Sequence, residues 1–235
     1  AYEIRLSLVG SEMCIRDRDY TVWSKEPTEI TNRLGWLFSP QSSLKALQVI
    51  KNFANGVKEE GFTKVLLMGM GGSSLAPEVF SLAFGSEKGF PELSILDSTD
   101  PDAVSECEKK ISNEKTLFIV STKSGGTVET FSFMKYFYNK TLRNLGTEET
   151  GKRFAAITDP GSGLEKVAKE LKFRKIFLND PDIGGRYSAL SFFGIVPAAL
   201  VGIDVDKLLK RAEDIADNSK TSDSLAGKLG TAIGE

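Results

Sequence analysis

The sequence predicts an α/β protein: a three-layer αβα sandwich on a doubly wound, mostly parallel sheet of about five strands, Rossmann-like in layout. Two observations carry this prediction. Five short apolar runs, at residues 64–70, 93–96, 117–120, 154–157 and 175–178, are continuous rather than alternating, as strands buried on both faces are. Between them lie segments of helical period, and alternation of strand and helix with right-handed crossovers gives a parallel sheet with helices on both sides.

The elements follow in order. Residues 6–18 (LSLVGSEMCIRDR) read as a translated sequencing adapter, so 1–18 are set aside as a non-native segment; the ordinary alternative is a strand over 4–9 and a polar loop. Residues 19–42 form a polar entry segment whose Trp23 and Trp36 are expected to pack on the domain. From residue 43 Leu44, Leu47, Ile50, Phe53 and Val57 share one helix face, and that helix ends near Gly61. The strand at 64–70 follows at once. Further helices are expected at 75–84, 102–111, 127–145, 164–171 and 189–201. Residues 206–234 read as more helix with no stop signal, so the domain over 43–235 is expected to be truncated at its C-terminus.

Composition removes several classes of chemistry. The chain has no histidine, which excludes a Ser-His-Asp triad, a Cys-His pair and an imidazole acid or base within these 235 residues. Thirty basic against 32 acidic residues give a net charge of −2, so neither nucleic acid nor an anionic membrane is an expected partner. Cys14 and Cys107 are far apart and lack metal-site spacing, which fits a reducing compartment; the expected location is the cytoplasm. The longest apolar run, 194–203, is too short to span a bilayer and contains Pro197, and no signal peptide is read at the N-terminus.

In an open parallel sheet the ligand sits beyond the carboxyl ends of the strands, and three of those ends stand out. After the first comes Gly69-Met70-Gly71-Gly72-Ser73-Ser74, a glycine turn opening a helix, whose free amides suit an anion and whose serines add hydroxyls. A dinucleotide fingerprint would want glycine at position 74, where Ser74 stands, although Asp97 after the second strand could hold a ribose. After the third strand comes Ser121-Thr122-Lys123-Ser124-Gly125-Gly126-Thr127-Val128-Glu129-Thr130, a donor-rich helix entry with no acid before Glu129, which suits a phosphate monoester. The plain alternative is helix capping by Ser or Thr. After the fifth comes Gly184-Gly185-Arg186-Tyr187-Ser188, where a guanidinium could stabilise developing oxyanion charge; otherwise Arg186 is a loop arginine paired with a surface carboxylate.

In this order and spacing, the three loops resemble the N-terminal sugar-isomerase (SIS) domain of the glucose-6-phosphate isomerase family, and the resemblance covers about 19–235. It is similar above all to the isomerase half of bacterial proteins that fuse a transaldolase to this isomerase. The resemblance implies an aldose–ketose isomerase that interconverts glucose 6-phosphate and fructose 6-phosphate through a cis-enediolate, in glycolysis and gluconeogenesis, with neither cofactor nor metal. Ser73, Thr122, Lys123, Ser124 and Thr127 match the positions that hold the sugar phosphate, with Gly71 and Gly72 as the backbone anion loop. Arg186 matches the arginine that steadies the enediolate, and Glu129 a carboxylate that orients a ring-opening histidine in many members. Family members carry that histidine, the glutamate base and a late lysine in a second SIS domain and C-terminal segment, which this chain lacks. The expectation is therefore a fragment that binds a phosphosugar without completing the isomerase site. The partners implied are the phosphosugar and the second SIS domain; a homodimer and an upstream transaldolase domain are left open. The rival readings are a non-catalytic phosphosugar-binding SIS module, although no helix-turn-helix precedes the sheet, and a nicotinamide dehydrogenase, which leaves Lys123 and Arg186 unexplained.

Overall fold

The structure is a computed structural model, described here for residues 19–22, 24–111, 115–219 and 224–234. The expectations for 1–18, Cys14 and Trp23 fall outside the described residues. Two helices lead in: α1 (Ser39–Lys45), with Pro40 in its first turn, where a missing N–H costs nothing, and α2 (Leu47–Glu59). The chain then alternates through β1 (Lys64–Gly69), α3 (Leu75–Phe84), β2 (Glu92–Leu96), α4 (Pro101–Lys110) and β3 (Thr116–Ser121). The long α5 (Val128–Leu145) and a single turn, α6 (Thr147–Thr150), lead to β4 (Phe154–Thr158), α7 (Gly163–Glu170) and β5 (Lys175–Leu178). Three helices close the described chain: α8 (Phe192–Leu200), α9 (Val205–Asn218) and α10 (Leu225–Gly234).

The five strands form one all-parallel sheet in the order β2-β1-β3-β4-β5. Side chains alternate across it, so each central strand feeds two cores. Val65, Leu67, Leu117 and Ile119 face α2 and α8, where Ile50, Val57, Ile195 and Val196 are fully buried. Leu66, Met68, Phe118 and Val120 face α5 and α7 on the other side. There Phe118 stacks between Phe137 and Phe154, with centroids 5.6 and 4.7 Å away. The α/β sandwich read from the apolar runs is therefore the fold.

Most elements lie within a residue of the sequence expectation at each end; three differ by more, each for a local reason. The expected helix from residue 43 is two helices, because Pro40 allows an earlier start and Ala46 stands between them. The helix expected from residue 189 starts at Phe192: the Ser191 hydroxyl accepts the Phe193 amide at 3.4 Å and caps it there. The helical stretch expected over 206–234 is two helices, the first begun by Asp204, whose carboxylate accepts the Lys207 amide at 3.1 Å.

Candidate functional site

The strand order creates the site. From β1 the chain steps outward to β2, then returns to the other side of β1 for β3 and continues to β4 and β5. The order therefore reverses between β1 and β3, and the loops leaving these two strands part there to open a crevice. Their last residues are in register, Gly69 opposite Ser121. Both of the donor-rich loops singled out in the sequence leave the sheet at this point.

The β1 loop runs through an extended Met70 into a tight turn at Gly71–Ser73. Gly71 has φ +54°, which favours glycine, and open space where a side chain would stand. Among the described residues the Gly71 and Gly72 amides find no protein acceptor, nor does the Ser73 hydroxyl. Ser74 departs from expectation as a ligand donor: it is buried and its hydroxyl donates to the Gly71 carbonyl at 3.1 Å, so it braces the turn. The Ser121 hydroxyl donates to the Ser73 carbonyl at 3.2 Å and ties the two loops together.

The β3 loop is held from beneath. The Thr122 amide donates to the Ile157 carbonyl at 3.1 Å, and the Asp159 amide to the Lys123 carbonyl at 3.1 Å. Gly125, at φ +63°, lies flat on the start of α7, where a β-carbon would come within 2.6 Å of the Leu164 nitrogen. Above this support, the amides of Lys123, Ser124, Gly125 and Thr127 have no acceptor among the described residues. Thr127 occupies the N-cap position of α5 but makes no cap bond; its hydroxyl shares a 3.0 Å hydrogen bond with that of Thr122. Simple helix capping therefore does not account for the loop. The helix dipole adds to the attraction for an anion at this end. Glu129 is half-buried in the first turn of α5, with no partner among the described residues.

The third loop folds back onto the first. Gly72 lies against Gly185, so close that a β-carbon on Gly72 would be 2.1 Å from the Gly185 carbonyl oxygen. The Ser188 hydroxyl fastens the pair, with Gly72 and Gly185 carbonyl oxygens at 3.0 and 2.7 Å. Arg186 is exposed and has no ion pair or hydrogen bond among the described residues, unlike a loop arginine paired with a carboxylate. It borders an open cleft of about 570 Å³ with Gly72, Tyr187 and, from the entry segment, Glu29 and Arg33. Trp36 of that segment stacks on Tyr187 at 5.5 Å, and its Gly35 amide donates to the Asp182 carbonyl at 2.9 Å.

Two residues that the sequence reading passed over belong to this site. Asp159, the first residue after β4, is buried against Lys123, whose ammonium also donates to the Pro181 carbonyl at 2.7 Å. Burial pushes the Asp159 carboxyl above its ordinary value, against the pull of the Lys123 ammonium. Asn179, the first residue after β5, is buried and bonds to the Asp180 carbonyl and the Phe192 amide at 3.0 and 3.3 Å. Their one signal in the sequence is position, a polar side chain just past the carboxyl end of a strand. Asp97, the ribose candidate, is exposed at the end of the edge strand β2. Among the described residues no group of three or more acidic or cysteine side chains is placed to hold a metal.

Comparison with known proteins bears on this geometry. A profile of phosphoglucose isomerase matches residues 44–225, which includes all three loops. The chain belongs to the phosphoglucose isomerase family. It is 32% identical over 213 residues to the glucose-6-phosphate isomerase of Carboxydothermus hydrogenoformans, covering 85% of this chain and 44% of that protein. Over 187 residues it is 34% identical to the Desulfitobacterium hafniense glucose-6-phosphate isomerase, covering 77% of this chain and 34% of that one. The chain thus spans less than half the length of these relatives. A hypothetical protein of Thermus thermophilus superposes with a TM-score of 0.82 at 27% identity, over 98% of this chain and 53% of that one. The glucose-6-phosphate isomerase structure from Chlamydia trachomatis shares the fold, at TM-score 0.78 and 22% identity over 94% of this chain and 45% of its own.

Proposed function

We propose that this chain is the phosphate-binding half of an aldose–ketose isomerase that interconverts glucose 6-phosphate and fructose 6-phosphate in the cytoplasm, without a cofactor. The observation that carries the reading is the pair of amide-rich turns side by side at the β1/β3 reversal, with the Arg186 loop folded onto one of them. Ser73, Thr122, Ser124, Thr127, the Gly71 and Gly72 amides and the Lys123 loop backbone hold the phosphate dianion. Arg186, unpaired, faces the charge that develops on the sugar oxygens as the enediolate forms. Glu129 orients a ring-opening group. Moving the proton between C1 and C2 needs a base, worth typically about 10²- to 10⁴-fold in rate. A histidine for ring opening is not among these 235 residues, so the complete reaction draws on groups from a second SIS domain. Taken alone, the chain binds and does not turn over.

The test is a thermal-shift titration with 6-phosphogluconate and glucose 6-phosphate, with glucose and NAD as controls. A ligand at 100 times its dissociation constant adds about 2.7 kcal/mol to stability. The reading predicts a rise in Tm with both phosphosugars and none with glucose or NAD. Arg186→Ala should keep the unliganded Tm, because the guanidinium is exposed and holds no partner in the fold, and should weaken binding. A rise with NAD alone would overturn the reading in favour of a dinucleotide site.

A further inference from the structure

We propose that the Lys123 ammonium acts as an internal strut rather than as a ligand of the phosphate, and that Asp159 is the positioning residue that holds it. This inference rests on the phosphosugar reading of the site. Lys123 leaves the end of β3 and donates to the Asp159 carboxylate after β4 and to the Pro181 carbonyl in the loop after β5. One ammonium therefore joins the loops of three adjacent strands at the crevice. The backbone repeats the connection: Asp159 donates its amide to the Lys123 carbonyl at 3.1 Å, and Asn179 donates its amide to the Thr158 carbonyl at 2.8 Å. Across Pro181, the Asp180 carboxylate accepts the Asp182 amide at 2.9 Å, and the chain runs on to the Arg186 turn.

The surroundings argue that the pair is kept for arrangement. The side chains of Lys123 and Asp159 are 23% and 13% exposed, so both charges have lost most of their water. Asp159 Oδ1 is buried without a hydrogen-bond partner among the described residues, so the carboxylate is only half satisfied. Asp180, which repels its charge, and Arg33, which attracts it, are the other charged groups acting on it. A buried pair in this state contributes little net stability, but removing one partner strands the other charge. Its other effect is to fix the β3 loop against the β5 loop, so that the loop amides and Arg186 keep one spacing. Two of the three ammonium N–H donors thus have protein acceptors, on the Asp159 and Pro181 sides, which anchors the group among the loops.

Two measurements on the whole chain test this. The first needs no ligand: acetylation of each lysine by an N-hydroxysuccinimide ester, followed by peptide mass spectrometry. Lys123 is expected to react several-fold more slowly than the exposed Lys110, and Asp159→Asn is expected to raise the Lys123 rate while leaving Lys110 unchanged. Lys123 reacting as fast as Lys110 in the unaltered chain would overturn the strut. The second is the affinity for 6-phosphogluconate in a double-mutant cycle. Lys123→Met and Asp159→Asn should each weaken binding about tenfold, and the double variant should be no weaker than either single one, because both remove one interaction. Lys123→Arg, which keeps the charge and the N–H donors, should recover part of the loss even if Lys123→Met folds poorly. If the ammonium instead binds the phosphate, Lys123→Met weakens binding while Asp159→Asn leaves it equal or tighter, and the inference fails. Absence of 6-phosphogluconate binding by the unaltered chain would remove the phosphosugar reading, with the acetylation rates still deciding whether the strut exists.

Discussion

At the scale of single residues, Gly72 is the most constrained position in the site. Its neighbour Gly71 needs glycine for its backbone angle and has empty space beside it, whereas Gly72 has no room at all. Gly72→Ala should therefore push the Gly185 turn away, cost roughly 1–3 kcal/mol as an overpacked site does, and weaken phosphosugar binding; urea unfolding and titration read both. A stability change within about 0.5 kcal/mol, typical of an unconstrained surface site, would contradict the contact. The glycine pairs and hydroxyl-rich loops were legible in the sequence because their residue types have few other uses at a strand end. Ser74 and Asp159 were not. Sequence places two serines side by side without saying that one turns inward to brace the loop, and it gives no sign that the Asp159 carboxylate and the Lys123 ammonium meet across 36 positions.

At the scale of elements, the start of α7 supports the β3 loop, since Gly125 rests on it. That start is held by the Ser162 hydroxyl, which accepts the Glu165 amide at 3.1 Å, and by the Glu165 carboxylate, which accepts the Gly161 amide at 2.6 Å. The Lys169 ammonium, and then the Gly161 amide, hold the Glu165 carboxyl below its ordinary value of 4.5. A depressed carboxyl stabilises the fold above its unfolded value and loses that contribution as pH falls through the folded one. Glu165→Gln should thus lower Tm at neutral pH and flatten its decline below about pH 4.5, as a pH series of thermal melts would show. An unchanged acid limb would mean that the capping carboxylate does nothing for α7. Strands and long helices were readable because apolar runs and helical period are collective signals. Helix starts were less so, because a single hydroxyl such as that of Ser191 moves a boundary by three residues from 189 to 192.

At the scale of the whole molecule, stability resides in the two cores and the sheet between them. Phe118→Ala, which empties the stack between Phe137 and Phe154, should cost about 3–5 kcal/mol, measurable by urea denaturation. Leu82, 81% exposed on α3, should tolerate Leu82→Gln to within about 0.5 kcal/mol. The overall architecture was legible because order along the chain, strand then helix, nearly dictates a parallel sheet; the position of the crevice followed only once the strand order was known. The central claim is that phosphate binds where the β1 and β3 loops part. Its most direct test is an amide NMR spectrum of the chain titrated with 6-phosphogluconate. The account predicts shifts concentrated at Gly71–Ser73, Lys123–Thr127 and Gly185–Arg186, which disappear when gluconate replaces the phosphosugar. Shifts confined to the separate hollow lined by Phe84, Val201, Lys207 and Arg211, with the loop amides unmoved, would contradict it.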